Sequence, residues 1–551
     1  MEQKNMWFCG SKVCLAILAM LVVHVMAEDD TIVETKQGKV SGIKQSVLSR
    51  TVTAYLGIPY AEAPTGEKRF KKPEPRAPWH DIYKATTYGN SCYQTKEVFI
   101  DFPGIDKWLV NNEMSEDCLN LNVWVPQSMS KPAHVMVYIY GGGFNAGTSS
   151  LDLYDGSVLV ATENIIVVSL NYRLGALGFL AFPGNTKAPG NAALFDQRLA
   201  LQWVHENIAA FGGNPESITL FGESAGSASV GYHVISAGSH SYFRRAIMQS
   251  GTPTADWAFN SHERSRRMSL QLAKNLNCPT EHVDEAISCL QKADAKGIID
   301  KQILTETQYT LTHFVPVLDN DFITDIPKNL VKDSITDIDI LIGVTKDDGS
   351  LFGIFGAPGF SARNLSLITT DELKRGLRHF FPSADDFSVE AMMLLYKDWD
   401  DEDNTEKNRD AMGKILRDYY FMCPSKNFAN FATKAKNHLF VYEYDHRPSN
   451  EVFPEWMGVI HGAELPMIFG QPLVSTRNFS NEEQVFSRRI MKIWANFARE
   501  GNPSDDKFTW PRYTAEENYA ILKLDHIDLK QKWNSQNCHF WNHLHPKPVK
   551  Q

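Results

Sequence analysis

The sequence predicts an α/β fold built on a large, mostly parallel central sheet flanked by helices, and three observations carry that expectation. Short β-branched apolar runs recur at 135–140, 165–170, 218–221, 338–344, 439–444 and 520–524. Several stop at turn-forming residues: a triple glycine follows the first, Asn171-Tyr172-Arg173 the second and Gly222 the third. Segments of helical spacing lie between them, such as 192–208, where Leu194, Leu199, Leu201, Trp203, Val204 and Ile208 would line one side. Continuous apolar runs suit strands buried on both faces, and strands alternating with helices suit a parallel sheet. In such sheets the reactive groups belong in loops at the carboxyl ends of the strands.

A chain of 551 residues, 43% apolar and 22% charged, can bury a large core. It shows no repeat and no Gly/Ser or Pro linker, so 28–551 reads as a single domain and 1–27 as a secretory signal. Lys4 and Lys12 precede an apolar run at 13–25, interrupted by His24, and Val25-Met26-Ala27 offers a small residue for cleavage before Glu28-Asp29-Asp30. That run is shorter than the roughly 20 apolar residues a bilayer crossing needs. Nothing after Cys538 reads as a membrane anchor or an oligomerising tail. A secreted, extracellular protein is expected, with N-glycosylation sequons at Asn364-Leu365-Ser366 and Asn478-Phe479-Ser480.

Cleavage at Ala27 removes Cys9 and Cys14 and leaves Cys92, Cys118, Cys278, Cys289, Cys423 and Cys538. An even number in a secreted chain implies disulfides throughout, although spacing leaves the pairing open. No Cys-x-x-Cys pair exists, so neither a metal nor a redox cofactor is expected. A formal net charge of −10 supplies no basic stripe for a nucleic acid. The same charge permits a field that attracts a small cation.

The chemistry begins at Gly222-Glu223-Ser224-Ala225-Gly226, directly after the run at 218–221. Gly-x-Ser-x-Gly between a strand and a helix is the nucleophile elbow, a turn so tight that the serine hydroxyl is pushed to its tip. Gly141-Gly142-Gly143-Phe144 follows the run at 135–140. Backbone N–H groups of Gly142 and Gly143, joined by that of Ala225, would form an oxyanion hole. An alcohol attacks only when a base takes its proton, and a carboxylate must orient that base. Asp347 and Asp348 stand just after the run at 338–344, where the acid belongs. His379, His438, His446, His461, His526, His539, His543 and His545 all lie downstream. Spacing does not choose among them.

Beyond these motifs the chain resembles the cholinesterases of the type-B carboxylesterase group, from Ala54-Tyr55-Leu56-Gly57-Ile58-Pro59-Tyr60-Ala61 to Phe540-Trp541-Asn542. The most specific matches are Ser115-Glu116-Asp117-Cys118-Leu119-Asn120, Gly356-Ala357-Pro358-Gly359-Phe360-Ser361 and Pro454-Glu455-Trp456-Met457-Gly458-Val459-Ile460-His461-Gly462. The resemblance implies an α/β-hydrolase fold and a serine esterase acting through an acyl-enzyme, with Ser224, His461 and Asp348 as nucleophile, base and acid. Asp348 departs from the glutamate usual in cholinesterases. The resemblance also pairs Cys92 with Cys118, Cys278 with Cys289 and Cys423 with Cys538, and it allows a homodimer.

For the substrate it implies a choline ester, with Trp108 offering an indole face to the quaternary ammonium and Glu223 and Glu464 adding negative charge. Such a cation–π contact contributes roughly 0.5 to 2 kcal/mol. Tyr154 and Phe352 match other residues of the same gorge, and Trp257 matches the acyl-pocket tryptophan. Thr310 and Thr312 stand where acetyl-selective members carry phenylalanine, which leaves room for a longer acyl chain. Leu351, Ala463 and Asn145 replace aromatic residues. Thr95 replaces a rim aromatic, Glu97 a rim aspartate, and no rim tryptophan lies between Asp300 and Thr310, so a peripheral cation site is expected to be weak or missing. Two other readings remain: a general carboxylesterase of broad ester specificity, and a non-catalytic adhesion-type relative.

Overall fold

The computed structural model describes residues 30–95, 105–129, 131–303, 313–335, 337–433, 438–474 and 478–545. The leader at 1–27, Glu97, Thr310 and Thr312 lie outside them. Eleven strands form the central sheet: β1 (Ile43–Val47), β2 (Arg50–Pro59), β3 (Asn120–Pro126), β4 (Ala133–Ile139), β5 (Ile166–Leu170), β6 (Gly213–Glu223), β7 (Arg245–Gln249), β8 (Asp339–Thr345), β9 (Leu439–Tyr444), β10 (Tyr519–Leu522) and β11 (Ile527–Lys530). Across the sheet they run β11-β10-β9-β8-β7-β6-β4-β5-β3-β2-β1.

The middle of the sheet, from β5 to β10, is parallel. Antiparallel pairs flank it, with β11 on one side and β3, β2 and β1 on the other. The sheet is therefore mixed, and the apolar runs marked its parallel part except β7, whose short segment Arg245-Ala246-Ile247-Met248-Gln249 carries polar residues at both ends. Every residue of β5 is buried, as double coverage by helices requires. β6 begins earlier than its apolar run, because Gly213 already pairs with Ala133 and a bulge separates it from Ile218. The polar Asn214, Pro215 and Glu216 hid that start.

Chain order reverses at β4, which has β5 on one side and β6 on the other. A crevice opens at the carboxyl ends of strands at such a switch point. β4 runs out into the glycine loop, β6 into Ser224, β7 into Ser250 and β8 into Asp347 and Asp348. One edge of the sheet thus delivers the nucleophile, the glycine amides and the candidate acids together.

Three helices pack against the central strands. α1 (Ala192–Asn207) buries Leu194, Leu201, Trp203 and Val204, whereas Leu199 stays half-exposed and Ile208 passes into a tighter turn. Its Asp196 is buried against Arg173 at 2.6 Å, a charge pair that neither residue could bury alone. α2 (Ala225–Ile235) starts at the elbow and is buried along its whole length. α3 (Asn481–Glu500) is capped by a reciprocal Ser480–Glu483 box and buries Phe486, Ile490, Met491, Trp494 and Phe497.

The three disulfides are Cys92–Cys118, Cys278–Cys289 and Cys423–Cys538, as the resemblance implied. They span sequence separations of 26, 11 and 115 residues. On the chain-entropy account the longest loop restrains the unfolded state by about 5 kcal/mol and the shortest by about 3 kcal/mol. Replacing Cys423 and Cys538 together by alanine should therefore lower the denaturation midpoint more than replacing Cys278 and Cys289. Urea unfolding of the two double variants measures the order, and the reverse order would refute this account.

Candidate active site

Ser224 occupies the sharp turn between β6 and α2, with φ 58° and ψ −123°. A side chain in that region costs of order 1–3 kcal/mol and persists only where surrounding structure enforces it. Enforcement comes from both sides. The Ser224 N–H donates to Gln249 O at 2.8 Å, and its carbonyl accepts from Ala228 N–H at 2.9 Å. The elbow glycines are needed for space: a Cβ on Gly222 would lie 2.6 Å from the backbone of Gly226, and one on Gly226 would penetrate the carbonyl of Ile139.

Beside it the glycine loop turns through Gly142 (φ 98°) and Gly143 (φ 62°), and Gly142 O accepts from the N–H groups of both Asn145 and Ala146. The N–H groups of Gly142 and Gly143 donate to no protein acceptor among the described residues. Ala225 is the first residue of α2, where N–H groups have no intrahelical partner. Three amides with these properties at one strand edge suit a developing oxyanion.

His461 Nδ1 lies 2.6 Å from Asp348 Oδ1. Asp348 is wholly buried, and its Oδ2 accepts from Ser250 Oγ at 2.7 Å and Thr345 N at 3.1 Å. The neighbouring Asp347 is used otherwise: its Oδ2 accepts from Val459 N–H at 2.9 Å, and so fastens the segment that leads to His461. The other ring nitrogen, His461 Nε2, is 3.0 Å from Glu223 Oε1, yet neither atom makes a hydrogen bond. No hydrogen bond joins the imidazole to Ser224 in this arrangement. Glu223 immediately precedes the serine, so the uncommitted nitrogen faces the nucleophile's end of β6. Hydrogen bonds of this kind are commonly loose until substrate is bound.

Burial shapes the charge here. It raises Glu223 to about 8, with Glu464 and Asp348 adding to the rise and His461 opposing it. Burial likewise raises Glu464 to about 7, against its hydrogen bond from Gln249. For His461 burial acts downward, but Glu223 and Asp348 overcome it and hold the imidazole up at about 9. The ring is further enclosed by Phe421, stacked at 4.5 Å, and by Phe352, edge-on at 5.2 Å.

The other predicted residues divide. Trp108 comes to the site: a Cβ on Gly462 (φ 75°) would lie 2.9 Å from its indole and 3.4 Å from Glu223 Oε1, so glycine lets these three meet. Trp257 donates to Tyr420 O at 3.0 Å and faces Phe144 and Phe421, each at 6.1 Å. Tyr154 is buried against Tyr138 and Phe469. Glu464 is wholly buried, and its Oε1 accepts from Gln249 Nε2 at 3.0 Å; its carboxylate adds to the charge acting on both Glu223 and His461. Asn364 and Asn478 are exposed.

Sequence reasoning missed Phe421, Ser250, Gln249 and Lys107. Ser250 and Gln249 were findable as the end of a strand beside the elbow. Lys107 Nζ stands 5.6 Å from the Trp108 ring and 3.2 Å from Glu451 Oε2, in a largely buried ion pair.

A serine on an elbow, unspent amides beside it and a carboxylate-held imidazole, all on one edge of a mixed sheet, define the class as an α/β-hydrolase. The carboxylesterase family pattern matches residues 29–541, and the chain belongs to that family of serine carboxylic ester hydrolases. It is 47% identical over 541 residues to a cholinesterase of Mus musculus, covering 97% of this chain and 90% of that one. It is 46% identical over 523 residues to an acetylcholinesterase of Bungarus fasciatus, with 94% and 86% covered. With an acetylcholinesterase of Danio rerio it shares 44% over 566 residues, with 95% and 89% covered.

Two outcomes test this geometry. Gly226→Ala should overpack the elbow at a cost of about 3 kcal/mol or more, with a lower thermal midpoint and lost organophosphate labelling; a stable, fully labelled variant would contradict the packing account. Since His461 must be neutral to accept a proton, kcat/KM for a neutral ester should rise with pH through the cluster's apparent pKa. Glu223→Gln removes a charge that raises the imidazole, so this acidic limb should move to lower pH; a limb that stays put or moves up contradicts the assignment.

Proposed function

We propose that the chain is a secreted esterase that hydrolyses choline esters through an acyl-enzyme on Ser224. Neutral His461, oriented by Asp348, takes the hydroxyl proton as Ser224 Oγ attacks the ester carbonyl carbon. The carbonyl oxygen becomes an oxyanion held by the Gly142, Gly143 and Ala225 amides. The tetrahedral adduct collapses, the alcohol leaves with the proton from His461, and water repeats the sequence to release the acid. Removing one oxyanion donor costs roughly a hundred- to a thousandfold in turnover.

The single observation that carries the choline preference is the meeting of the Trp108 indole with Glu223 beside His461. A quaternary ammonium has no hydrogen to donate, so an aromatic face and a nearby carboxylate suit it. The curated relatives include cholinesterases, which supports the same substrate. Thr310 and Thr312 support tolerance of butyryl groups. Residues 1–27 as a leader, 28–551 as one domain, glycans on Asn364 and Asn478 and a homodimer complete the reading. No helix among the described residues is long and apolar enough to cross a membrane.

A carboxylesterase of broad specificity is the second reading, and Lys107 favours it: a resident cation 5.6 Å from the indole opposes a cationic substrate. The two separate on comparing an acylcholine with a neutral ester of the same shape. Trp108→Ala should cut kcat/KM for the acylcholine at least tenfold more than for the neutral ester, and equal losses would favour the second reading. Ser224→Ala should abolish both activities and covalent organophosphate labelling; retained labelling would refute the nucleophile.

A further inference from the structure

We infer that His539 and His543 form a two-imidazole site for a late first-row transition-metal ion, independent of the esterase site. The helical turn Ser535–His539 continues into the wider turn Phe540–Leu544. Both histidines are exposed, with ring centroids 4.8 Å apart and planes inclined by 39°. A metal–nitrogen bond of about 2.1 Å puts an imidazole centroid roughly 3.2 Å from the ion, so two rings at ligand angles of about 90–110° have centroids about 4.5–5.2 Å apart. The observed centroid separation falls within that range.

Nothing competes for the ring nitrogens: neither histidine has a hydrogen bond or ion pair among the described residues. The backbone beneath them is fixed. Cys538 is bonded to Cys423, and the buried Trp541 stacks on Phe381 at 5.4 Å and donates to Tyr396 Oη at 2.7 Å. Holding both rings on a tethered helix reduces the entropy lost on chelation. Nearby His545 does not join them, because it is buried against Trp541 at 4.9 Å. No group of three or more potential ligands occurs among the described residues, so water completes the coordination. Imidazole ligands suit Cu2+, Ni2+ and Zn2+, with Cu2+ tightest, and do not suit Ca2+ or Mg2+.

The test is calorimetric titration of the chelator-treated full-length protein with Cu2+ and Zn2+, for the wild type, His539→Ala, His543→Ala, the double variant and a His526→Ala control. Expected are micromolar Cu2+ binding by the wild type, weaker Zn2+ binding, at least tenfold loss in each single variant and no loss in the control. Electron paramagnetic resonance of the Cu2+ adduct should show two coordinated nitrogens, and neutral-ester turnover by the variants confirms that they fold. The inference is overturned if the double variant binds Cu2+ as the wild type does, or if the wild type binds none at micromolar concentration.

Discussion

The site depends on how closely the start of α2 approaches the end of β4. Gly226 lies so near the Ile139 carbonyl that no side chain fits between them, and this contact drives the chain through its sharp turn at Ser224. The same approach brings the glycine loop that leaves β4 alongside the amide of Ala225. One steric constraint thus sets the serine's backbone strain and aligns the donors beside it. The Gly142 and Gly143 amides, without an acceptor among the described residues, stand beside that turn, and amides held in place in this way are the kind of preorganisation that lowers barriers to acyl transfer.

Charge supplies a second constraint, because Glu223, Asp348 and Glu464 all act on one imidazole. Burial opposes ionisation of Glu223 and Glu464 and raises the pKa of both. Asp348 receives hydrogen bonds from Ser250 and Thr345 and lies 2.6 Å from His461 Nδ1. Glu464 has one oxygen bonded to Gln249 and the other unpartnered. Glu223 Oε1 has no hydrogen bond at all. Among the three, Glu223 is therefore the group whose ionisation responds most to what sits beside it, whether a protonated imidazole or a bound cation.

How much of this could be read from sequence follows from which constraints are local. The elbow and the glycine loop were legible because glycine is required at fixed offsets from a serine and from a strand end. Most parallel strands were legible because burial on both faces leaves an unbroken apolar run, but β7 was not, since its five residues begin with Arg245 and end with Gln249. The antiparallel β2 was not legible either, since Thr53 and Gly57 break its apolar pattern although residues 52–58 are all buried. His461 could not be chosen from its rivals by spacing, because it is brought to β8 only by tertiary packing. Only the resemblance selected it. Glu464 was legible only as a charge three residues beyond His461; its bond from Gln249 is a tertiary contact that spacing does not reveal.

Asp347 and Asp348 show where local reading stops. They are the same residue type, adjacent on one loop, and chemically indistinguishable in the sequence. Their side chains part because successive residues leaving a strand point in different directions. One meets the Val459 amide and fixes the path of the segment carrying His461. The other turns beneath the sheet edge to the imidazole itself. The division makes the two aspartates interdependent, since the short Asp348–His461 contact needs the histidine segment held where Asp347 holds it. Asp347 holds Val459 twice, accepting from its N–H at 2.9 Å and donating its own N–H to Val459 O at 3.1 Å. Two consecutive residues thus fix the histidine's segment and supply its partner carboxylate.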